Sequence, residues 1–478
     1  MPAATYALLG YAVLIITVGV LGSRKTKSFS DFLLGGRKVG PWMTAFSYGT
    51  AYFSAVLFIG FAGKIGWNFG LSGLWIAIGN SFLGVLLVWW LLGRRIKHVT
   101  GEYGVHTMPE LLEARYQSRG LKLLTSLAIF VFFIPYSAAV FMGLGYLFTS
   151  TFDVNYELMV LLMGVFTGIY LVLGGYRSMA MIDVVFGVVM ILGVGVLLWS
   201  CLEKGGGLDR ILADLEAKDP RLVAPVGPPG FWPLVSLVFL TSVAPFAMPQ
   251  LVQKFYAIRD RKAVRVGMIA STAFAVLVTV TAYFTGALTR LFITPESHPA
   301  VFAEGGKVDF DALMPEMLTS VIPPALSVVI FLLILSASMS TLAALVLISA
   351  STITKDLYAG FVNRGATDRR LTILVRAASV FFIVLSMSLA LLRPAVIVTI
   401  LSISWGAIGA VFLGPFLWAI FGSRVEKRGA LGAAVLGLAT CLTIWALGGP
   451  KWVPEAGSLG MIVSVVAAPL ISTALPRR

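Results

Sequence analysis

Apolar segments of membrane-spanning length recur along the whole chain and are separated by short polar stretches. An α-helix needs about 20 mostly apolar residues to cross the hydrocarbon core of a bilayer. We therefore predict an all-α membrane protein with a single polytopic domain over residues 1–478. The two longest outer segments, 203–230 and 294–319, are expected to hold short helices. The thirteen predicted spans lie near residues 4–22, 40–63, 70–93, 123–151, 155–173, 178–202, 231–253, 266–293, 320–352, 371–392, 395–421, 429–447 and 458–475.

The composition supports a membrane location and gives no sign of an enzyme. Of the 478 residues, 58% are hydrophobic and 12% are charged, whereas soluble domains carry about 25% charged residues. Cys201 and Cys441 both lie in apolar runs, which indicates neither a disulfide nor a metal framework. The sequence contains no nucleophile elbow, HExxH, CxxC or phosphate loop, so we expect no catalytic residues.

The basic residues are distributed unevenly between the two sides of the predicted membrane. Because such residues concentrate on the cytoplasmic side, we expect the N-terminus outside and the C-terminus in the cytoplasm of a cell (inner or plasma) membrane. The net charge of +14 is then explained by basic groups beside anionic membrane lipid, and no nucleic-acid partner is needed. Of the 36 Lys and Arg residues, 27 fall on the side that holds 23–39, 94–122, Arg177, 254–265, 355–376, 424–428 and 477–478.

Two predicted spans contain residues that interrupt an α-helix. The second span has Gly49 followed by polar residues, and the seventh has Pro245 and Pro249. An unwound segment is tolerated in a membrane where it lines a cavity, and breaks five spans apart suit two inverted repeats of five helices with a ligand between them. A simple proline kink is an equally typical cause of either break alone. The predicted units are an extra N-terminal span and loop, 1–30, the repeats 40–202 and 231–421, and two C-terminal spans, 422–478.

The ninth span carries hydroxyl groups in its apolar middle. Ala337, Ser340, Thr341 and Ala344 follow helical i, i+3, i+4, i+7 spacing and fall on one face. Adjacent hydroxyls on such a face can complete the shell of a small hard cation, together with carbonyls of a neighbouring broken helix. On this stretch alone, close packing of membrane helices through small and hydroxylated residues is the more typical interpretation.

Apart from Glu157 at the start of the fifth span, Asp183 is the only carboxylate within the predicted spans. It lies about two turns from the inner end of the sixth span, which Arg177 marks. A carboxylate inside a membrane marks an ion or substrate path by default, so we place Asp183 on an ion path. A hydrogen-bonded structural Asp near the interface is the alternative.

The solute is expected between the two broken helices, where free backbone donors and acceptors meet. No Arg or Lys is predicted at that depth, so a carboxylate would be held by helix dipoles, hydroxyls and amides. A monoanion or zwitterion is therefore favoured over a dianion, whose second charge would go uncompensated. As single aromatic residues in spans, Tyr136 and Trp405 are also typical of packing. The predicted solute-binding residues are Tyr52, Ser54, Tyr136, Gln250 and Trp405.

Five stretches, taken in order, resemble the sodium:solute symporter family along nearly the whole chain. They read DFLLGGRKVGPWMTAFSYGTAYFSA, YLVLGGYRSMAMIDVV, PQLVQKFYAIRDRKAVRVG, SASMSTLAALVLISASTITKDLY and LGPFLWAIFGSRVEKRGALGAAVLG. Within the family, EARYQSRGLKLLTSLAIF and DPRLVAPVG are most similar to pantothenate and monocarboxylate permeases.

The resemblance implies a fold, a coupling ion and a set of ligands. The fold is the five-plus-five inverted repeat known from the leucine transporter, working by sodium-driven alternating access. Some family members hold a second sodium ion with two further hydroxyls, but here those positions are Ala343 and Ala344. The implied ligands of the first sodium ion are the backbone carbonyls of Thr50, Phe53 and Ala337 and the hydroxyls of Ser340 and Thr341.

The sequence therefore favours a secondary active symporter that imports a small organic solute with Na+ as the coupling ion. The expected solute is a monocarboxylate such as pantothenate, or a short organic or amino acid. A proton-coupled transporter or uniporter of the same fold, with Asp183 as the proton carrier, is one alternative. A membrane sensor that binds solute without net transport is another, which the lack of a soluble signalling domain after the last predicted span disfavours.

Overall fold

Helices make up most of the protein, as the apolar pattern predicts. The structure is a computed structural model that describes residues 2–23, 28–152, 154–303, 306–422 and 424–474. The α-helices are α1 (Pro2–Ser23), α2 (Phe29–Leu34), α3 (Pro41–Tyr52), α4 (Ala62–Phe69), α5 (Leu74–Ile78), α6 (Val88–Tyr103), α7 (Met108–Tyr116), α8 (Arg119–Phe152), α9 (Tyr156–Lys204), α10 (Leu208–Lys218), α11 (Phe231–Val243), α12 (Pro249–Tyr256), α13 (Arg261–Ala287), α14 (Thr289–Phe292), α15 (Phe310–Val321), α16 (Ser327–Ser351), α17 (Asp368–Leu392), α18 (Ile397–Phe421), α19 (Lys427–Gly448) and α20 (Val453–Ala474).

Shorter elements complete the described chain. The strands β1 (Phe302–Ala303) and β2 (Lys307–Val308) pair antiparallel. Three π-helical segments occupy Val56–Phe61, Gly79–Leu87 and Thr352–Val362. Turns of 3₁₀-helix lie at Gly35–Arg37, Gly70–Gly73, Pro220–Leu222, Ala244–Phe246, Pro299–Val301 and Gly449–Trp452.

The first predicted break follows α3. The backbone leaves the helical conformation at Phe53, where φ is −111° and ψ is 109°, and helix resumes at Ala55. From there the chain passes through the π-helical segment into α4. Because a new helix begins here, its first backbone N–H groups have no partner within that helix.

The second predicted break separates α11 from α12. After the 3₁₀ turn Ala244–Phe246, Met248 is extended with φ of −73° and ψ of 115°. Pro249 then starts α12, a position where its missing N–H costs no intrahelical hydrogen bond. Both breaks are therefore unwound segments rather than simple kinks.

Two glycines mark places where the fold requires a residue without a side chain. Gly175 has a φ of +64° and divides the helical run α9 into halves that correspond to the predicted fifth and sixth spans. Gly66 of α4 lies against Gly286 of α13, where an added Cβ would stand 2.0 Å from the carbonyl carbon of Gly286. The helices α4 and α13 therefore meet backbone to backbone beside the first break.

The predicted spans correspond to helices of the described residues. Within the described ranges, nine helices are long and apolar enough to cross a membrane by length and composition, and Tyr6–Gly22 and Tyr156–Ile169 are shorter apolar helices. One of the nine, Lys427–Ala474, joins α19 and α20 and holds two predicted spans. The number of crossings stays a prediction. The two outer segments hold α10 and α15, as expected.

The ninth span is longer than predicted at its C-terminal end. The candidate span runs from Ser327 to Val362, because the π-helical segment Thr352–Val362 continues α16. This extension brings the fully buried Asp356 into the span, so the prediction that Asp183, apart from Glu157, is the only carboxylate within a span is wrong. Thr107, which lies 249 positions earlier in the chain, donates a 2.6 Å hydrogen bond to the carboxylate of Asp356 and so partly compensates its burial.

The outer surface of the helix bundle is apolar. Large side chains such as Trp90, Val165, Ile269 and Leu470 are exposed on four different helices. By contrast, every side chain of α16 from Leu333 to Ser351 is buried. Apolar surface on this scale is unusual for a soluble monomer and fits a protein surrounded by lipid, with α16 at the centre of the bundle.

Candidate functional site

A cavity of about 440 Å³ lies between the two breaks. The first break lines one side, and Leu240 and Thr241, just before the second break, line another. The part of the cavity that a water molecule can occupy is about 40 Å³, well below the ~300–1,000 Å³ that is typical of small-molecule sites, so the cavity is narrow in this conformation. Four of the five predicted solute-binding residues line this cavity, namely Tyr52, Ser54, Tyr136 and Trp405.

Aromatic rings from three helices form one wall of the cavity. The rings of Tyr52 and Trp405 stack with their centroids 5.8 Å apart, and Tyr136 packs edge-on against Trp405 at 6.1 Å. The hydroxyl of Tyr52 donates a 2.6 Å hydrogen bond to the carbonyl of Thr241, which ties the first break to α11. Tyr136 and Trp405 therefore shape the cavity as well as pack against each other.

Several buried polar groups next to the cavity lack a hydrogen bond of normal geometry among the described residues, although those of Gln250 and Trp405 lie near the hydroxyl of Tyr136. They are both amide atoms of Gln250, the indole N–H of Trp405 and the hydroxyl of Ser402. Buried polar groups are normally paired, so unpaired groups beside a cavity point to a bound molecule or water. Gln250 lies next to Tyr136, behind the cavity wall rather than in it. Ser402 was not predicted, although its i, i+3 spacing to Trp405 on α18 places it on the same face.

The predicted cation ligands meet where α3 packs against α16. The hydroxyl oxygens of Thr50 and Ser340 are 2.8 Å apart. The hydroxyl of Thr341 has one proton to donate and lies between two acceptors, the carbonyl of Ala51 at 3.2 Å and that of Ala337 at 3.1 Å. Ala51 is a contact that the sequence analysis missed, although it lies between two residues that were predicted. The structure thus brings oxygen atoms of both helices into one buried cluster.

The chemistry of this cluster suits a small monovalent cation. Phe53 begins the break directly after α3, where carbonyl groups of the last turn lack partners within the helix. The hydroxyls of Ser340 and Thr341 each donate one hydrogen bond and keep lone pairs that can face a cation. Carbonyl and hydroxyl oxygens without a net charge are ligands that hard cations accept.

Asp183 is fully buried on α9 and accepts hydrogen bonds on both oxygens. The hydroxyl of Ser340 donates to Oδ1 at 2.7 Å, and that of Ser47 donates to Oδ2 at 2.6 Å. Asp183 is therefore linked to the oxygen cluster through Ser340. Its role on an ion path stays a prediction.

Lys254 is a basic residue that the sequence analysis did not place in the interior. Its fully buried Nζ donates a 2.8 Å hydrogen bond to Ser47 and lies 3.8 Å from Oδ2 of Asp183. The expectation that no Arg or Lys lies at the depth of the site is therefore wrong. We had assigned Lys254 to the cytoplasmic boundary because basic residues usually mark helix ends, but every residue of α12 is buried. Its i, i+4 spacing to Gln250 is the signal that could have located it.

A larger cavity adjoins the central one, with about 470 Å³ that water molecules can occupy against about 40 Å³ in the central cavity. Ser402 lines both cavities, so they meet at this residue. Two lysines, Lys64 and Lys451, and one acid, Glu455, contribute charged groups to the lining of the larger cavity. The two lysines therefore line a cavity that adjoins the aromatic wall of the central one.

Asp311 connects α15 to the start of α18. Its Oδ2 accepts the backbone N–H of Ile397 at 3.1 Å, and its Oδ1 is buried without a partner among the described residues. Burial raises the pKa of Asp311 from its ordinary value of 3.8 to about 7. The N–H of Ile397 and the charge of Lys64 oppose this rise, and the charge of Asp309 adds to it. Asp311 therefore changes its charge near neutral pH.

Comparison with a solved structure defines the fold. The chain matches a Na+-coupled sialic acid symporter, solved in a substrate-bound outward-open state, with a TM-score of 0.84 and 17% identity. The match covers 99% of this chain and 97% of that one. It confirms an all-α membrane fold with the five-plus-five inverted repeat of the leucine-transporter type.

The chain belongs to the sodium:solute symporter family, whose model matches residues 32–437. It is 29% identical to the sodium/pantothenate symporter of Escherichia coli (strain K12), with 90% of this chain and 88% of that protein covered. It is 26% identical to the osmoregulated proline transporter OpuE of Bacillus subtilis (strain 168), over 97% of this chain and 93% of that protein. The family and these relatives are transporters rather than enzymes, which confirms the resemblance and the membrane-transport class indicated by the sequence.

Proposed function

We propose that the protein is a sodium-coupled symporter that imports a small organic monocarboxylate or zwitterion by alternating access. One structural relationship carries the proposal: the break after α3 contributes both to the central cavity and to the oxygen cluster. Phe53 lines the cavity, and three residues earlier the hydroxyl of Thr50 contacts that of Ser340 on α16. A solute and a cation bound there would share one unwound segment, so each would affect the other's affinity.

In this proposal the coupling ion binds between α3 and α16. The ligands are the carbonyls of Thr50, Phe53 and Ala337 and the hydroxyls of Ser340 and Thr341. A sodium ion at this position joins the two helices and stabilises one arrangement of them, and by linkage the solute raises the affinity for sodium by the same factor. Asp183, attached to this cluster through Ser340, lies on the path of the ion.

The solute is assigned to the central cavity, between the two breaks. The unpaired amide of Gln250 and the unpaired indole N–H of Trp405 supply donors for a carboxylate. The N-terminus of α12, which has no side-chain cap, adds the positive end of a helix dipole beside Gln250. Lys254 adds no net charge because Asp183 neutralises it, so a monoanion or zwitterion is favoured over a dianion. The relatives described as pantothenate and proline transporters carry solutes of this class.

The direction of transport follows from the proposed orientation, with the N-terminus outside and the C-terminus in the cytoplasm. The basis is the excess of basic residues on one side of the predicted membrane. A reporter enzyme that works only in the cytoplasm should be active when it is fused after Arg478. Activity of a reporter that works only outside the cell would contradict the orientation and the thirteen-span count.

A thermal-shift screen of the purified protein tests the function. Pantothenate, short monocarboxylates, proline and a neutral sugar are each added in sodium chloride and in choline chloride. One of the carboxylates should stabilise the protein in sodium chloride, by about 2.7 kcal/mol when its concentration is a hundred times its dissociation constant. The stabilisation in choline chloride should be far smaller.

The other outcomes separate the alternatives. Sodium-dependent stabilisation by the sugar alone would overturn the carboxylate assignment and leave the symporter in place. Equal stabilisation in both salts, with uptake driven by a proton gradient or by the solute gradient alone, would identify a proton-coupled transporter or a uniporter. Binding without any uptake in vesicles would identify a sensor.

A further inference from the structure

We propose that the ammonium group of Lys254 is a built-in cation at Asp183, which takes the place of a second coupling ion and limits the protein to one bound sodium ion. The proposal concerns the ion count of the sodium coupling proposed above, on which it rests. The observation behind it is the buried ion pair that connects α12 to α9.

The charge balance around Asp183 is complete without a metal ion. Asp183 and Lys254 are both fully buried, and the Nζ and Oδ2 atoms are 3.8 Å apart. A carboxylate in a membrane interior needs one compensating positive charge, because an unpaired buried charge costs several kcal/mol. Lys254 supplies that charge. A second cation bound to Asp183 would have to share the carboxylate with the ammonium group and would be repelled by it.

Lys254 also occupies the space that an ion would need. Ser47 connects the two charged groups: its hydroxyl accepts from Nζ at 2.8 Å and donates to Oδ2 at 2.6 Å. The ring of Tyr176 lies 5.2 Å from the ammonium group, on a side where cation–π attraction contributes. Without the lysine, a carboxylate oxygen and a serine hydroxyl would remain in a buried pocket, and these are the oxygen ligands that hard cations prefer.

The opposite side of Asp183 offers few further ligands. Ser340 donates to Oδ1, and the residues three and four positions later on α16 are Ala343 and Ala344, which carry no side-chain oxygen. The oxygen cluster of Thr50, Ser340 and Thr341 is different, because no ammonium group lies among its oxygens and their lone pairs stay available to a cation. The oxygen cluster can therefore accept a mobile cation, whereas Asp183 already holds the tethered ammonium group of Lys254.

The test counts sodium ions on the purified full-length protein with no solute added. Equilibrium binding of radioactive sodium is measured for the wild type and for Lys254→Gln, Lys254→Arg, Asp183→Asn and the double variant Asp183→Asn/Lys254→Gln. Lys254→Gln should bind about one sodium ion more than the wild type, because the carboxylate then needs a new counter-charge. Lys254→Arg keeps the positive charge, and the double variant removes the negative charge that it compensates. Both should therefore bind the same number of sodium ions as the wild type.

Stability provides a second measurement where Lys254→Gln folds poorly. Its melting temperature should be higher in sodium chloride than in choline chloride, and the double variant should lose this additional dependence on sodium. Asp183→Asn alone leaves the ammonium group unpaired, so it should lower both thermal stability and the transport rate, and the double variant should recover the stability.

The increment in bound sodium separates this proposal from the proposed function. A wild type that binds no sodium would overturn sodium coupling, yet a gain of about one ion in Lys254→Gln would still support Lys254 as the cation at Asp183. A wild type that binds sodium, together with an unchanged count in Lys254→Gln, would overturn the role of Lys254 and leave sodium coupling in place. Failure of Lys254→Gln to fold in either salt would also overturn it, since sodium would then be unable to replace the lysine.

Discussion

The hydroxyl oxygens of Thr50 and Ser340 lie 2.8 Å apart, although the two residues are 290 positions apart in the chain. The contact joins the helix before the first break to α16, whose side chains from Leu333 to Ser351 are all buried. It also brings the predicted ion ligands next to the wall of the central cavity, where Phe53 belongs to both. Movement of either helix would change the ion cluster and the cavity together, which is the relationship that coupled transport requires.

Removal of either hydroxyl from α16 should weaken the response to sodium. Ser340→Ala and Thr341→Ala each lose one proposed ligand, so the sodium concentration for half-maximal uptake should rise by about tenfold, which corresponds to about 1.4 kcal/mol. Uptake into proteoliposomes at a series of sodium concentrations measures the change. Ser338→Ala is the matched control, because its buried hydroxyl bonds only to the carbonyl of Ile334 within its own helix. Unchanged sodium dependence in both test variants would return α16 to a packing role.

Substitutions at the central cavity should affect the solute more than the ion. Gln250→Ala and Ser54→Ala each remove a polar group beside the cavity, and the solute affinity should fall by about fivefold, which corresponds to about 1 kcal/mol for a lost hydrogen bond. Sodium binding without solute should stay close to that of the wild type. Gln253→Ala is a control on the same helix, since its amide donates to the carbonyl of Leu33 and lies outside the central cavity. A loss of affinity in Gln253→Ala equal to that in Gln250→Ala would argue against a direct role for Gln250.

The stability of the protein should depend on pH through Asp311. Burial raises the pKa of this carboxyl from 3.8 to about 7, so the folded protein holds the proton more tightly than the unfolded chain does. The resulting stabilisation is fully present below pH 3.8 and is lost as the pH rises to about 7, by at most about 1.4 kcal/mol per pH unit. Melting temperatures of the wild type and Asp311→Asn, compared from pH 5 to 8, should differ in slope, with the flatter profile in the variant. Identical slopes would show that Asp311 does not titrate in this range.

The two lysines of the larger cavity should speed the capture of an anionic solute. Lys64→Gln and Lys451→Gln should each lower kcat/KM by about two- to fivefold at low ionic strength, and the effect should shrink as salt screens the charges. Lys307→Gln serves as a control, because this lysine lies in β2 and does not line the cavity. Equal losses in all three variants, or losses that do not depend on salt, would rule out electrostatic capture at Lys64 and Lys451.

Local sequence was sufficient to predict the breaks and the hydroxyl face. The effect of Pro249 and of the residues around Gly49 on a helix depends on backbone geometry within a few residues, so the unwound segments appear where they were expected. The face that carries Ser340 and Thr341 follows from 3.6-residue periodicity alone. The resemblance of several stretches to one family then supplied the expectation that these two regions meet.

The partners of charged residues could not be predicted in the same way. Lys254 was read as a cytoplasmic boundary residue, since local sequence shows the end of an apolar run but not what packs around it. Asp356 was placed outside the ninth span for the same reason, and the hydroxyl of Thr107 that keeps it in a buried helix comes from a distant part of the chain. In both cases the residue that compensates the buried charge is distant in the sequence, so the local pattern could not reveal it.

The sequence by itself determined the elements of this protein: apolar helices of spanning length, two interrupted helices and one helix with an oxygen-bearing face. These properties depend on periodicity, on proline and glycine, and on the free energy of placing a side chain in lipid, all of which act locally. Only the tertiary structure decided that Lys254 neutralises Asp183 and that Tyr52, Tyr136 and Trp405 enclose one cavity. The physical reason is that these contacts form between helices far apart in the chain, where burial and charge compensation are set by the neighbours that packing supplies.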